Sequence, residues 1–122
     1  MDLFLDTPLY NAGATATDAL WAGVPLLTVE GQTYISRVAG SLLRNVGLPE
    51  LIMPDLQAYE EMAVALAQDR ERLHVLRSHL EAARKTALLF DTEGLLRKLE
   101  GAFKQAWGRF EQGEKPSPLW MD

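Results

Sequence analysis

The sequence has no cysteine among its 122 residues. Disulfides, thiolate metal sites and a thiol nucleophile are therefore excluded. Histidine is scarce as well, with His74 and His79 the only two. Both fall in one predicted helix at a spacing of i, i+5. That sets them roughly 140° apart around the axis, too far round to share a metal ion. Both are read as solvated surface residues, and no metal or cofactor is expected. No apolar run approaches the roughly 18–20 residues that span a bilayer. Met1 leads almost directly into Leu3-Phe4-Leu5 without a basic stretch, so no secretory leader is recognisable. Cytoplasm is the expected compartment, with no membrane partner. Positive charge is in deficit, and the net charge is −5. Nonspecific nucleic-acid binding depends on neutralising phosphates with Lys and Arg, so it is not expected. A local anion site built from backbone amides is still compatible with that charge.

What is present suits a soluble globular fold. Apolar residues make up 48% and charged residues 24%, ordinary values for one domain large enough to bury a core. Leu3 to Leu5 is a short apolar run ending at Asp6, which suits a buried parallel strand. An irregular loop with Pro8 and Gly13 follows. Thr15 to Ala22 reads as a short helix, stopped by Gly23-Val24-Pro25. Leu26 to Val29 is a second strand. Strand, loop, helix, strand is the pattern of a βαβ unit with a parallel sheet.

Beyond Gly31, residues Ile35, Val38, Ala39, Leu42, Leu43 and Val46 repeat at helical spacing. Gly47 and Pro49 end that helix. Leu51-Ile52-Met53 is a possible third strand. Asp55 and Asp69 are placed to cap two further helices. A last helix from about Thr92 to Phe110 is expected to turn Leu95, Leu96, Leu99, Ala102, Phe103, Ala106 and Phe110 inward. Residues 112–122 read as an extended tail. The fold class is thus α/β, with two or three short parallel strands and about five helices. Such a short sheet leaves open edges, which missing strands or a second copy of the chain would cover.

The stretch Asn11-Ala12-Gly13-Ala14-Thr15-Ala16-Thr17-Asp18 is the most informative. Small side chains between a strand and a helix start let an anion approach the backbone. Free N–H groups and the helix dipole then favour phosphate. Ligands of open α/β sheets bind at the carboxyl ends of the strands. Asp18, one turn into the helix, could accept hydrogen bonds from ribose hydroxyls. The same residues also fit a reciprocal helix cap. Thr15 would receive the N–H of Asp18, and Asp18 would reach back to Thr15. Local sequence leaves both readings open. Asp6 either orients the loop or caps it, with the cap favoured. Arg37 could touch a phosphate, although a single surface arginine is usually solvated. There is no G-x-G-x-x-G, no phosphate-loop lysine and no recognisable Ser/His/Asp set.

A wider set of residues carries a resemblance. It comprises Leu5-Asp6-Thr7-Pro8, Asn11, Thr15, Asp18, Leu20-Trp21, Gly23-Val24-Pro25 and Ser36-Arg37-Val38. It continues through Ser41-Leu42-Leu43, Val46 to Ile52, Tyr59, Leu89-Phe90-Asp91 and Trp107. Together they resemble the core of family 41 glycosyltransferases, the O-linked N-acetylglucosaminyltransferases with their SPINDLY-like and TPR-containing bacterial members. The resemblance implies a GT-B fold, two Rossmann-like domains facing a cleft. Residues 1–111 would be the C-terminal part of the donor-binding domain, with 112–122 as the tail.

The implied parent reaction moves N-acetylglucosamine from a UDP-sugar to Ser or Thr hydroxyls of a protein acceptor. It inverts the anomeric centre and uses no metal. By position in the family's small-residue loop, typically G-[HG]-T-T-x-x-D, Gly13, Ala14 and Thr15 would line the diphosphate. Asp18 would hold the ribose. No catalytic residue is assigned. Ala14 stands where a threonine is usual, which removes a hydroxyl donor to phosphate. Ala12 replaces a usual glycine. The N-terminal catalytic domain, the earlier strands of the donor domain and the TPR repeats have no counterpart in these residues. The expectation is therefore a transferase fragment inactive alone. The alternative is a non-catalytic interaction module that forms a homodimer through its sheet edge or an apolar helix face. A dehydrogenase-type nucleotide domain is disfavoured by the missing glycine motif.

Overall fold

The computed structural model describes residues 1–119. The chain divides into two compact units, Met1–Phe90 and the segment from Asp91 onward.

In the first unit three parallel strands form one sheet in the order β1-β2-β3. They are β1 (Phe4–Leu5), β2 (Leu26–Val29) and β3 (Ile52–Met53). Phe4 pairs with Leu26 and Leu5 with Leu27. Thr28 pairs with Ile52 and Val29 with Met53. Helix α1 (Ala14–Trp21) connects β1 to β2, and α2 (Val38–Asn45) connects β2 to β3. Helices α3 (Leu56–Gln68) and α4 (Arg70–Ala83) follow. This is the α/β arrangement expected from the spacing of the apolar runs.

β2 is the centre of the core. Leu26, Leu27 and Thr28 are wholly buried, as a parallel strand covered on both faces should be. Helices α1, α2 and α3 all pack against β2, while α4 lies on α1 and α3. Leu20, Leu43, Leu51, Leu66 and Leu80 complete the interior and are fully buried. Cutting any of them to Ala costs about 2–5 kcal/mol. The β1 run departs from expectation. It is only half covered, and Leu5 is 54% exposed. An apolar run marks strand propensity, but not whether a neighbour covers its outer side.

The chain's punctuation is local. Both α1 and α2 end in a left-handed glycine, Gly23 at φ 82° and Gly47 at φ 78°. The N–H groups of Gly23 and Val24 return to Leu20 and Ala19. Those of Gly47 and Leu48 return to Arg44 and Leu43. A side chain at either glycine would strain this six-to-one, five-to-two closure. Asp55 caps α3 by accepting from the Ala58 N–H, and Asp69 caps α4 by accepting from Arg72. His79 is exposed but not merely solvated. Its Nε2 donates to the Val46 carbonyl at 2.8 Å, at the end of α2.

The second unit carries α5 (Thr92–Glu111), capped by the Asp91 carboxylate on the Gly94 N–H. None of its residues is buried. Leu95, Leu96, Leu99, Phe103 and Phe110 were expected to face inward and are all exposed, as is Trp107. The helical period is present, but within this unit no core closes over the stripe. Residues 114–119 have no regular structure, and the remainder of the expected tail, 120–122, lies outside the described residues.

Candidate functional site

The carboxyl end of β1 delivers the chain into the small-residue loop. Asp6 closes the strand and is 4% exposed. Its Oδ1 accepts from the Ala12 N–H at 2.8 Å, and its Oδ2 accepts from the Thr28 hydroxyl at 2.7 Å. Asp6 therefore orients the loop, and the favoured reading of it as a simple cap is corrected. The Tyr59 hydroxyl donates to the Asp6 carbonyl. Burial, and then the nearby Asp6 carboxylate, push the Tyr59 phenol above its ordinary value.

Asn11 fastens the other end of the loop. It is 2% exposed, with Nδ2 donating to the Thr7 carbonyl and Oδ1 accepting from the Ala39 N–H. Its own N–H reaches the Ile35 carbonyl. Buried polar groups cost stability unless paired, and here every one of these is paired. The loop's course is thus set by β2, α2 and the turn before α2.

Gly13 then opens α1 as its N-cap, with no side-chain cap at all. The reciprocal Thr15–Asp18 cap does not form. The helix starts at Ala14, so Thr15 already has helical backbone and cannot act as the cap residue. The first backbone bond to Gly13 comes from Thr17 at 3.0 Å. The N–H groups of Ala14 and Thr15 meet no acceptor among the described residues, and both residues are exposed. No acidic side chain occupies the first turn. The positive end of the helix dipole is therefore not neutralised locally.

Asp18 is exposed, and its carboxylate has no hydrogen-bond or ion-pair partner among the described residues. It stands four residues after Ala14 and three after Thr15, so it shares their face of α1. The structure thus brings Gly13, Ala14, Thr15 and Asp18 to one solvent-facing end of one helix. Three surface clefts lie elsewhere among the described residues, and none is lined by these four residues.

Arg37 is exposed and lies beside a carboxylate. Its nearest charged partner is Glu30, with Nε 3.7 Å from Oε1. Glu30 is gripped more closely by Arg44, whose Nη1 donates to Oε1 at 2.9 Å. The Arg44 hydrogen bond, more than the charges of Arg44 and Arg37, holds the Glu30 carboxyl below the usual carboxylate range. Sequence reasoning did not anticipate Asn11 and Tyr59 as supports of the loop. Their partners are distant in the chain, and only an aromatic or amide adjoining an irregular segment hinted at them.

The family model of glycosyl transferase family 41 matches residues 1–99. The chain belongs to glycosyl transferase family 41. An Arabidopsis thaliana relative, the probable UDP-N-acetylglucosamine–peptide N-acetylglucosaminyltransferase SEC, is 42% identical over 94% of this chain and 12% of its own length. The UDP-N-acetylglucosamine–peptide N-acetylglucosaminyltransferase of Caenorhabditis elegans is 38% identical over 92% of this chain and 10% of its own. A mutant of the Thermobaculum terrenum O-GlcNAc transferase superposes with a TM-score of 0.79 at 34% identity, covering 88% of this chain and 21% of that one. The family 41 chain therefore spans about a tenth of the length of these two sequence relatives. Its fold is the corresponding α/β portion of a GT-B transferase.

Proposed function

We propose that this chain forms the diphosphate and ribose part of the donor site in a UDP-sugar:protein O-glycosyltransferase. The N–H groups at the start of α1, from Gly13 to Thr15, receive the pyrophosphate. Asp18 receives hydrogen bonds from the ribose hydroxyls. The observation that carries this reading is the uncapped N-terminus of α1, where the N–H groups of the exposed residues Ala14 and Thr15 lack acceptors among the described residues. It is supported by the names of the relatives, which specify UDP-N-acetylglucosamine and a peptide.

In the parent reaction the oxygen of a Ser or Thr hydroxyl attacks the anomeric carbon. The bond from that carbon to the terminal phosphate oxygen of UDP breaks, and inversion results. The hydroxyl proton passes to a base, a role that no residue assigned here performs. The contribution of α1 is to stabilise the negative charge that grows on the diphosphate as it leaves. Preorganised backbone donors do this without reorganisation during the step. Residues 1–111 are the C-terminal part of the donor domain in this reading. An N-terminal catalytic domain and TPR repeats supply acceptor selection, the cytoplasm is the compartment, and the 122-residue chain alone has no transferase activity.

Titration of the chain with UDP, followed by amide NMR shifts, tests the reading. Shifts confined to Gly13–Asp18 are expected. Their absence at millimolar UDP overturns it. Turnover by the purified chain would overturn the inactivity.

One observation favours a second reading, a homodimerising interaction module. The stripe of Leu95, Leu99, Phe103 and Phe110 on α5 is exposed, and large apolar patches mark association sites. Light scattering decides it, because a monomer at high concentration would exclude self-association.

A further inference from the structure

Asn11 fastens the loop, but the stretch from Ala12 to Ala14 that leads into α1 has no polar side chain with which to fix itself. Ala12 is partly buried against the core, Gly13 and Ala14 add no more than a methyl group, and none of the three has a polar side chain. Something else must hold their backbone in one course. Asp6 stands at the right place to do so. It is a nearly buried carboxylate with no cation within ion-pair distance among the described residues. A buried carboxylate is costly unless its oxygens are occupied. Both are occupied, in opposite directions. Oδ2 takes the hydroxyl of Thr28, which is wholly buried in the central strand. Oδ1 takes the N–H of Ala12, two residues before the helix begins.

We propose that Asp6 is a positioning residue for the mouth of α1. Its carboxylate links the rigid strand β2 to the backbone of Ala12. That link sets the course of Ala12 and Gly13 and keeps the N–H groups of Ala14 and Thr15 turned to the ligand. The proposal rests on the donor-site reading above, and it adds the residue that gives that site its shape. Hydrogen bonds to a carboxylate acceptor are about twice as strong as neutral ones, which suits an anchor for a loop of small side chains. A Cβ built on Gly13 would meet Val38 Cγ1 at 3.9 Å, an ordinary contact with open space around it. Packing therefore offers no substitute anchor at that position.

The test uses the 122-residue chain with Asp6→Ala, Asp6→Asn and Thr28→Val. Two quantities are read by NMR: the exchange rate of the Ala12 amide without nucleotide, and the UDP midpoint of the Gly13–Asp18 shifts. Asp6→Ala should speed Ala12 exchange and raise the UDP midpoint, each by roughly tenfold or more, the loss expected for one bond to a charged group. Core resonances of Leu20 and Leu43 should stay in place. Asp6→Asn should restore most of both effects, because its Oδ1 still accepts from Ala12 while its Nδ2 meets the Thr28 oxygen. A merely structural role would not give that rescue at Ala12 and in UDP binding together. If Asp6→Ala does not fold, Thr28→Val releases the carboxylate from β2 and should shift Ala12 and weaken UDP severalfold.

Unchanged exchange and an unchanged midpoint in a folded variant overturn the proposal. A wild-type chain that ignores UDP overturns the donor reading instead, and Ala12 exchange then decides the anchoring role by itself.

Discussion

The hydroxyl of Tyr59 donates to the backbone carbonyl of Asp6 at 2.9 Å, across 53 residues of sequence. That bond fastens α3 to the end of β1, at the point where the chain leaves the sheet for the loop. Its removal in Tyr59→Phe should cost about 1 kcal/mol, the usual net worth of such a bond. Burial raises the folded pKa of this phenol above its ordinary 10.0. A raised value means the stabilising contribution is complete below pH 10 and fades as pH climbs through the folded value. Urea melts of both proteins should therefore differ most at neutral pH, and the gap should narrow above pH 10. A constant gap would mean that the phenol ionises equally easily in both states.

Glu30 gives the opposite dependence. Its folded pKa is lowered from 4.5, first by the Arg44 hydrogen bond. The contribution is then complete above about pH 4.5 and is lost as pH falls through the folded value. Arg44 is half exposed, so solvent screening limits the pair to less than about 1 kcal/mol. Glu30→Gln should flatten the acid limb of stability below about pH 4.5, and its cost should be fully present at pH 7 and vanish as pH falls. Moderate salt should shrink the difference. A difference that grows toward low pH would contradict this sign.

The exposed stripe on α5 predicts tolerance. Phe103 and Trp107 are 64% and 61% exposed, so Phe103→Ser and Trp107→Ser should each change stability within about ±0.5 kcal/mol. A thermal melt measures that. If the stripe holds two copies together, the same substitutions should lower the mass seen by light scattering. A loss of several kcal/mol would show that these side chains are buried in solution.

Much of the architecture was readable because its signals are local. The run Leu26 to Val29, the helical period from Ile35 to Val46, and the stops at Gly23 and Gly47 each depend on a few adjacent residues. Asp55 and Asp69 were legible as caps for the same reason. The small-residue loop and Asp18 stood out by composition and by resemblance. What failed depends on neighbours distant in the chain. Leu5 is apolar, yet it sits at an open edge. Asp6 resembled a cap, yet its partners are Ala12, Thr28 and Tyr59. The Thr15–Asp18 pattern fitted a capping box, but the helix begins two residues too early for it to close. The stripe on α5 announced an apolar face without saying whether anything lies against it.

Two substitutions at the mouth of α1 separate ligand approach from folding. Gly13 has φ −102°, a value open to any residue. An added Cβ would make only an ordinary contact with Val38 at 3.9 Å. The poorer N-cap quality of alanine and the smaller entropy of its unfolded chain act in opposite directions, each by under about 1 kcal/mol. Gly13→Ala should thus melt close to the parent chain. If a diphosphate sits against this backbone, the added methyl group should still weaken UDP binding. Ala14→Thr should act in the other direction. Ala14 is exposed at the first helical position, so a hydroxyl there can reach a phosphate without disturbing the core. One added bond to a charged oxygen is worth about 1.5 kcal/mol or more, or roughly a tenfold tighter midpoint in the UDP titration. Weakening by one variant and tightening by the other, at equal stability, would locate the phosphate at these two residues. Equal UDP affinity in all three chains would place it elsewhere.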